Sequence, residues 1–145
     1  VNLKGRFNAP FGKYVNPKIC DSDNLRACEA VLRNALMMAT DFSALLNGAR
    51  KGDFIYCDPL YYPLSATSNF VAFTKRGFSA DDHVRLRDLL LRAKKRGAKV
   101  LLSNSSAPLI YDLYRDGFQI EEVQGRRAVN SKTDRRGSVK ELLIW

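Results

Sequence analysis

The residues best suited to chemistry are Asp58, Pro59, Leu60 and Tyr61, which follow the apolar run Phe54-Ile55-Tyr56-Cys57. A run of that length reads as a buried strand, and the proline-bearing stretch after it reads as a loop at the strand's carboxyl end. In open α/β sheets that edge is where ligands bind. A carboxylate and an aromatic ring held there on a stiff turn can accept a hydrogen bond from a planar amine and stack on its ring. The combination suits a nucleobase. Taken alone, an Asp-Pro pair after a strand is also an ordinary turn signal, since Asp bonds its own backbone and Pro fixes φ.

The elements that must position this loop can be read from periodicity. Residues 1–18 have no clear period and carry Gly5, Pro10, Gly12 and Pro17, as an extended loop or hairpin would. From Asp21 the pattern is helical, with Leu25, Cys28, Val31, Leu32 and Ala35 in one apolar stripe. Residues 35–40 read as a short buried strand, with Met37 and Met38 as core packing. A short helix over 44–49 follows. Ser79, with Asp82 three residues on, predicts a capped helix with Leu86, Leu89, Leu90 and Ala93 buried and Gly97 as its stop. His83 falls at the start of that helix and reads as a surface residue rather than a base. Residues 99–103 form the next strand, a helix opens near Pro108 and ends at Gly117, and strands follow at 118–123 and 139–144. The alternation from residue 53 onward predicts an α/β fold with a mostly parallel sheet, closed by an antiparallel carboxyl-terminal hairpin.

Composition narrows the function. At 145 residues the chain is of single-domain size and can bury about two-thirds of its unfolded surface. No apolar stretch is long enough to span a bilayer. Cys20, Cys28 and Cys57 lack metal-ligand spacing and His83 is the single histidine, so no metal site is expected. The thiols read as free, in a reducing compartment such as cytoplasm, and Cys57 reads as core. The net charge of +9, from 24 Lys and Arg against 15 Asp and Glu, points to a polyanionic partner. It concentrates in two loop-like segments, with Lys4, Arg6, Lys13 and Lys18 in one and Arg126, Arg127, Lys132, Arg135 and Arg136 in the other. No Gly-x-Gly cofactor turn occurs anywhere in the chain.

Gly5-Arg6-Phe7-Asn8-Ala9-Pro10-Phe11-Gly12, followed by Asp58-Pro59-Leu60-Tyr61-Tyr62-Pro63-Leu64-Ser65-Ala66-Thr67-Ser68-Asn69-Phe70, resembles the Dam-type, D12 class DNA adenine-N6 methyltransferases. Their signature is Asp-Pro-Pro-Tyr followed by x-Pro-Leu-Ser and Asn-Phe. Ser103-Asn104-Ser105, Arg126-Arg127 and Val139-Lys140-Glu141-Leu142-Leu143 resemble the family's later segments. The resemblance implies a Rossmann-like, S-adenosylmethionine-dependent sheet whose first strands are missing here. Residues 1–18 would be the end of a target-recognition hairpin, and 19–145 the carboxyl-terminal part of the catalytic domain. It also implies methyl transfer to a flipped adenine in a short duplex site such as GATC. In that frame Asp58 and the Pro59 carbonyl accept from the exocyclic amine, and Tyr61 stacks on the extruded ring. Asp41, Phe42 and Asp58 lie against the cofactor. Asn2, Arg6, Pro10 and Lys13 face the duplex, and Arg126, Arg127 and Lys132 hold phosphates.

Leu60 departs from the family pattern, standing where the second proline belongs. Without that ring φ is free at this position, which predicts weakened rather than abolished transfer. The missing first strand would leave the strand bearing Asp58 with an unpaired apolar edge, to be completed by an amino-terminal segment of the same protein. Two other readings remain at this stage. One is a catalytically silent remnant that still binds DNA. The other is a related enzyme acting on RNA or a protein amide, against which the FNAPFG segment argues.

Overall fold

A computed structural model of the chain describes residue 15 and residues 19–64, 77–126 and 138–145. The chain divides into two compact units, Val1–Ala39 and Thr40–Trp145. The expected boundary at residue 18 lies at the edge of residues outside this description.

In the first unit, helix α1 (Ser22–Leu32) is capped by Asp21, whose side chain accepts from the Asn24 N–H. The expected apolar stripe is present but exposed at Leu25, Val31 and Leu32. The strand expected at 35–40 does not form, and Leu36, Met37 and Met38 are exposed rather than core. Ala, Leu and Met have no β-branch to favour the extended form, and a strand without a ladder partner has nothing to hold it.

The second unit carries helix α2 (Phe42–Leu46), strand β1 (Phe54–Cys57), helix α3 (Ala80–Lys95), strand β2 (Lys99–Ser105), helix α4 (Pro108–Tyr114), and strands β3 (Ile120–Arg126) and β4 (Ser138–Ile144). The α3 cap forms as its sequence predicts. Ser79 Oγ accepts from the Asp82 N–H at 3.2 Å and Asp82 Oδ2 accepts from the Ser79 N–H at 2.9 Å. Gly97 then leaves the helix at φ +92°, where a Cβ would meet the Lys51 side chain at 3.0 Å. A side chain is disfavoured there twice, by a conformation that strains any L residue and by a tight approach from which Lys51 would have to shift.

The four strands lie in the order β1-β2-β4-β3. β1 and β2 pair in parallel, while β4 is antiparallel to both β2 and β3. The expected hairpin is therefore present. Three strands share a direction, but β4 inserts between β2 and β3, so among the described residues only one hydrogen-bonded pair is parallel, fewer than the mostly parallel sheet expected. β3 runs three residues past its expected end because β4 gives it ladder partners as far as Arg126↔Ser138. The core lies where α3 and α4 cover the sheet, with Leu90, Leu102, Ile110, Tyr114, Leu142 and Ile144 fully buried. Burying a side chain of this size contributes about 1.5–3 kcal/mol. β1 is the edge strand on the site's side, and Phe54 and Tyr56 are 65% and 56% exposed on it.

Arg96, just past the end of α3, donates to the carbonyls of Leu46 and Ala49 at 2.6 Å each. These carbonyls lie at and just beyond the end of α2, where the Leu46 oxygen also accepts from the Ala49 N–H at 3.3 Å, and a cation is a favourable group to meet them. The contact ties α2 to α3, and hence the Asp41-Phe42 pair to the sheet.

Candidate active site

The parallel register sets Cys57 beside Leu102, so the next residues along, Asp58 and Ser103, emerge side by side at the carboxyl ends of their strands. Ser103 Oγ donates to Asp58 Oδ1 at 2.9 Å. Tyr56 Oη lies 3.3 Å from the same Ser103 oxygen. With the Ser103 proton committed to the carboxylate, Tyr56 is the donor in that second contact. A carboxylate on a strand end is thus oriented by a neighbouring strand, and among the described residues Oδ2 has no other protein partner.

The loop that follows is held at its far end. The Tyr62 N–H donates to Asn104 Oδ1 at 3.0 Å, and Ser105 Oγ donates to the Tyr62 carbonyl at 2.6 Å. Tyr61, just before this anchor, is partly buried, and desolvation raises its hydroxyl pKa. Cys57, beneath the loop, is pushed up to about 11 by burial, which agrees with an inert core thiol.

His83 is not the surface residue that its place at a helix start suggests. It is 0% exposed. Its ring meets the edge of Phe78 at a centroid distance of 4.7 Å and that of Tyr62 at 5.7 Å. Burial lowers its pKa to about 4, against smaller opposing effects from Asp82 and the Leu60 backbone. By distance and angle neither ring nitrogen completes a hydrogen bond among the described residues. His83 therefore serves as a neutral aromatic support under the Leu60–Tyr62 stretch. Its spacing from Leu86 and Leu90, three and seven residues, is the sequence signal that places it on the buried face.

Asp41 and Phe42 are fixed by Arg85. The guanidinium bonds both Asp41 oxygens at 2.9 Å and lies 4.2 Å over the Phe42 ring. Asp41 also caps α2 by accepting from the Ser43 N–H. The Arg85 hydrogen bonds, above all, hold its carboxyl well below the usual range. Both Asp41 oxygens are thus engaged within the chain. Phe42 and Cys57 lie along one groove of about 630 Å³ between α2 and β1, whose lining also includes Leu45, Ile55 and Tyr56.

The structure brings together Asp58, Pro59 and Tyr61 and lines the adjacent groove with Phe42. The duplex-facing residues Asn2, Arg6, Pro10 and Lys13 lie outside the described residues, as do Arg127 and Lys132. Arg126 is described only as the last backbone position of β3. Ser103, Asn104, Ser105, His83 and Arg85 are the site residues whose contacts sequence reasoning did not foresee. Three small polar residues in a row at the end of an apolar strand were the available signal. Among the described residues, no group of His, Cys, Asp and Glu could hold a metal ion. Nor is any helix among them long and apolar enough to cross a membrane.

The family model for D12 class N6 adenine-specific DNA methyltransferases matches residues 1–129, and the chain belongs to that family. It is 42% identical over 146 residues to the Type II methyltransferase M1.LlaDCHI of Lactococcus lactis subsp. cremoris, covering 99% of this chain and 51% of that protein. It is 41% identical over 145 residues to the Type II methyltransferase M.MjaIII of Methanocaldococcus jannaschii, covering 99% and 50%. A DNA adenine methylase of Vibrio cholerae serotype O1 is 36% identical over 143 residues, covering 98% and 51%. The chain spans about half the length of these curated relatives.

Proposed function

We propose that this chain is the carboxyl-terminal part of a DNA adenine-N6 methyltransferase that uses S-adenosylmethionine. The observation that carries the reading is the Asp58 carboxylate, oriented by Ser103 at the carboxyl end of β1 with Tyr61 beside it, in a chain of the D12 family. Its Oδ2, which has no partner among the described residues, and the Pro59 carbonyl are the acceptors for the exocyclic amine of a flipped adenine. Their pull holds the nitrogen lone pair outward, so positioning and charge stabilisation supply most of the rate. Tyr61 stacks on the extruded ring.

The groove beside β1 fits the donor's chemistry, because an apolar lining next to a carboxylate suits the flat, hydrophobic face of an adenosyl group. Phe42, Ile55 and Cys57 would hold that group, and Asp58 would stand at its reactive end. Arg85 would keep Asp41 and Phe42 in place. When bound, S-adenosylmethionine supplies the electrophilic methyl group.

The finer reading follows the family. The sheet is the later half of a Rossmann-like methyltransferase sheet, and an amino-terminal segment of the same protein covers the exposed edge of β1. Residues 1–18 end the target-recognition hairpin, and Asn2, Arg6, Pro10 and Lys13 meet a duplex whose site is GATC. Arg126, Arg127 and Lys132 hold phosphates. The enzyme works in the cytoplasm, and Leu60 slows it without silencing it.

The test is Asp58→Ala in the full-length protein, assayed with a radiolabelled donor and a GATC duplex. Transfer should fall by about a thousandfold while duplex binding survives. An unchanged rate would remove Asp58 from the chemistry. Duplex binding with no transfer by the unaltered protein would favour a silent binder, and competition by single-stranded RNA but not duplex DNA would favour the RNA enzyme.

A further inference from the structure

Between Pro59 and Pro63 lie three consecutive residues, Leu60, Tyr61 and Tyr62, whose φ no ring fixes. Tyr61 is the middle one. A stretch of this kind samples many conformers unless something outside it removes that freedom. Three consecutive residues of β2 do so, and they bracket the free stretch.

Before it, Ser103 Oγ donates to Asp58 Oδ1 at 2.9 Å. At its last residue, the Tyr62 backbone is gripped at both polar groups, its N–H by Asn104 Oδ1 at 3.0 Å and its carbonyl by Ser105 Oγ at 2.6 Å. Asn104 is itself pinned, because its Oδ1 also accepts from the Ser105 N–H at 2.8 Å. Two N–H donors converging on one side-chain atom make that atom the carbonyl oxygen. All three residues are buried, with exposures of 4%, 0% and 5% in chain order. The β2 side of each contact is therefore shielded from water, while Asp58 and Tyr62 are partly exposed.

We propose that Ser103, Asn104 and Ser105 are positioning residues that together fix Asp58 and Tyr61 for reaction. They supply from the neighbouring strand the rigidity that a second ring at position 60 would otherwise provide. This rests on the methyltransferase reading above. A ring at position 60 and the β2 contacts restrict the same stretch, so their effects must be coupled rather than additive.

The experiment is a double-substitution cycle in the full-length protein, with Ser105→Ala and Leu60→Pro singly and together, and Asn104→Ala and Ser105→Thr beside them. Methyl transfer to duplex DNA and hydrogen exchange of the Tyr62 amide are measured for each. Ser105→Ala and Asn104→Ala should each lower kcat about ten- to a hundredfold with KM for the duplex within twofold, since a small misplacement of the reacting groups is costly. Ser105→Thr keeps the hydroxyl and should hold kcat within about threefold of the parent. Leu60→Pro alone should raise kcat, by less than about threefold because the β2 contacts already restrict the stretch, yet recover at least tenfold in the Ser105→Ala background. Folded variants with unaltered kcat, or a Leu60→Pro effect equal in both backgrounds, would overturn the proposal. If the unaltered protein transfers no methyl group, the functional reading fails and the exchange data decide this one. Tyr62 protection lost at least tenfold in Asn104→Ala supports the clamp, and unchanged protection in a folded variant refutes it.

Discussion

His83 gives the stability of this chain a pH dependence whose size can be worked out. The ring is fully buried between Phe78 and Tyr62, and its pKa falls from 6.5 to about 4. The folded chain then binds that proton more weakly than the unfolded chain does. Stability is full above about pH 6.5 and is lost as pH falls from there towards 4. Each pKa unit is worth ~1.36 kcal/mol, so lowering the pH from about 7.5 to 5 should cost about 2 kcal/mol. Glu122 and Asp41 are held below their ordinary values by Lys140 and Arg85, so their contributions are lost mainly below that window. The assay is urea unfolding followed by circular dichroism at both pH values, for the parent and His83→Leu. The parent midpoint should drop at pH 5, and the drop should largely vanish in the variant. Because the chain has one histidine, its ring-proton resonances can be followed without assignment. A titration near 6.5 in the folded chain, or an equal drop in the variant, would refute the reasoning.

Two further predictions concern groups near the core. Tyr114 is fully buried, and its hydroxyl has no partner among the described residues. Tyr114→Phe keeps the edge contact with Phe118 and should raise stability by about 1 kcal/mol, seen as a Tm a few degrees higher. Cys57, with its pKa near 11, should be about one part in a thousand thiolate at pH 8. Iodoacetamide mass mapping should therefore label exposed Cys20 and Cys28 first, and equal labelling of Cys57 would contradict its burial.

Local rules made much of this unit legible. The Ser79–Asp82 cap, the Leu86–Leu90 face and the Gly97 stop of α3 each depend on neighbours within a few turns, and each formed as read. The strand before Asp58 formed too, because four apolar residues before an Asp-Pro pair leave few alternatives, but it is an edge strand with Phe54 and Tyr56 exposed rather than the buried strand its apolar run suggests. What the sequence concealed was set by register. Nothing within residues 99–105 says that Leu102 will lie beside Cys57, and without that pairing Ser103 cannot be linked to Asp58. The insertion of β4 between β2 and β3 is likewise a choice between ladders that hydrophobic patterning does not rank. His83 reads as exposed because a polar residue in a first helical turn usually faces water, while its spacing from Leu86 and Leu90 and its aromatic neighbours place it inside. Residues 35–40 read as a strand because a short apolar run does not reveal whether a ladder partner exists.

The place of β4 has a consequence for how the molecule is made. During synthesis β3 leaves the ribosome before β4, yet it has no strand to lie against until residues 138–144 have followed it out. The same seven residues are the second neighbour of β2, whose far end presents Ser103, Asn104 and Ser105 to the loop. The β1–β2 pair can form early, but the strand end that grips the loop is fully braced only once this late stretch has arrived. A nascent chain arrested anywhere before it would carry Asp58 and Tyr61 on an unfinished scaffold.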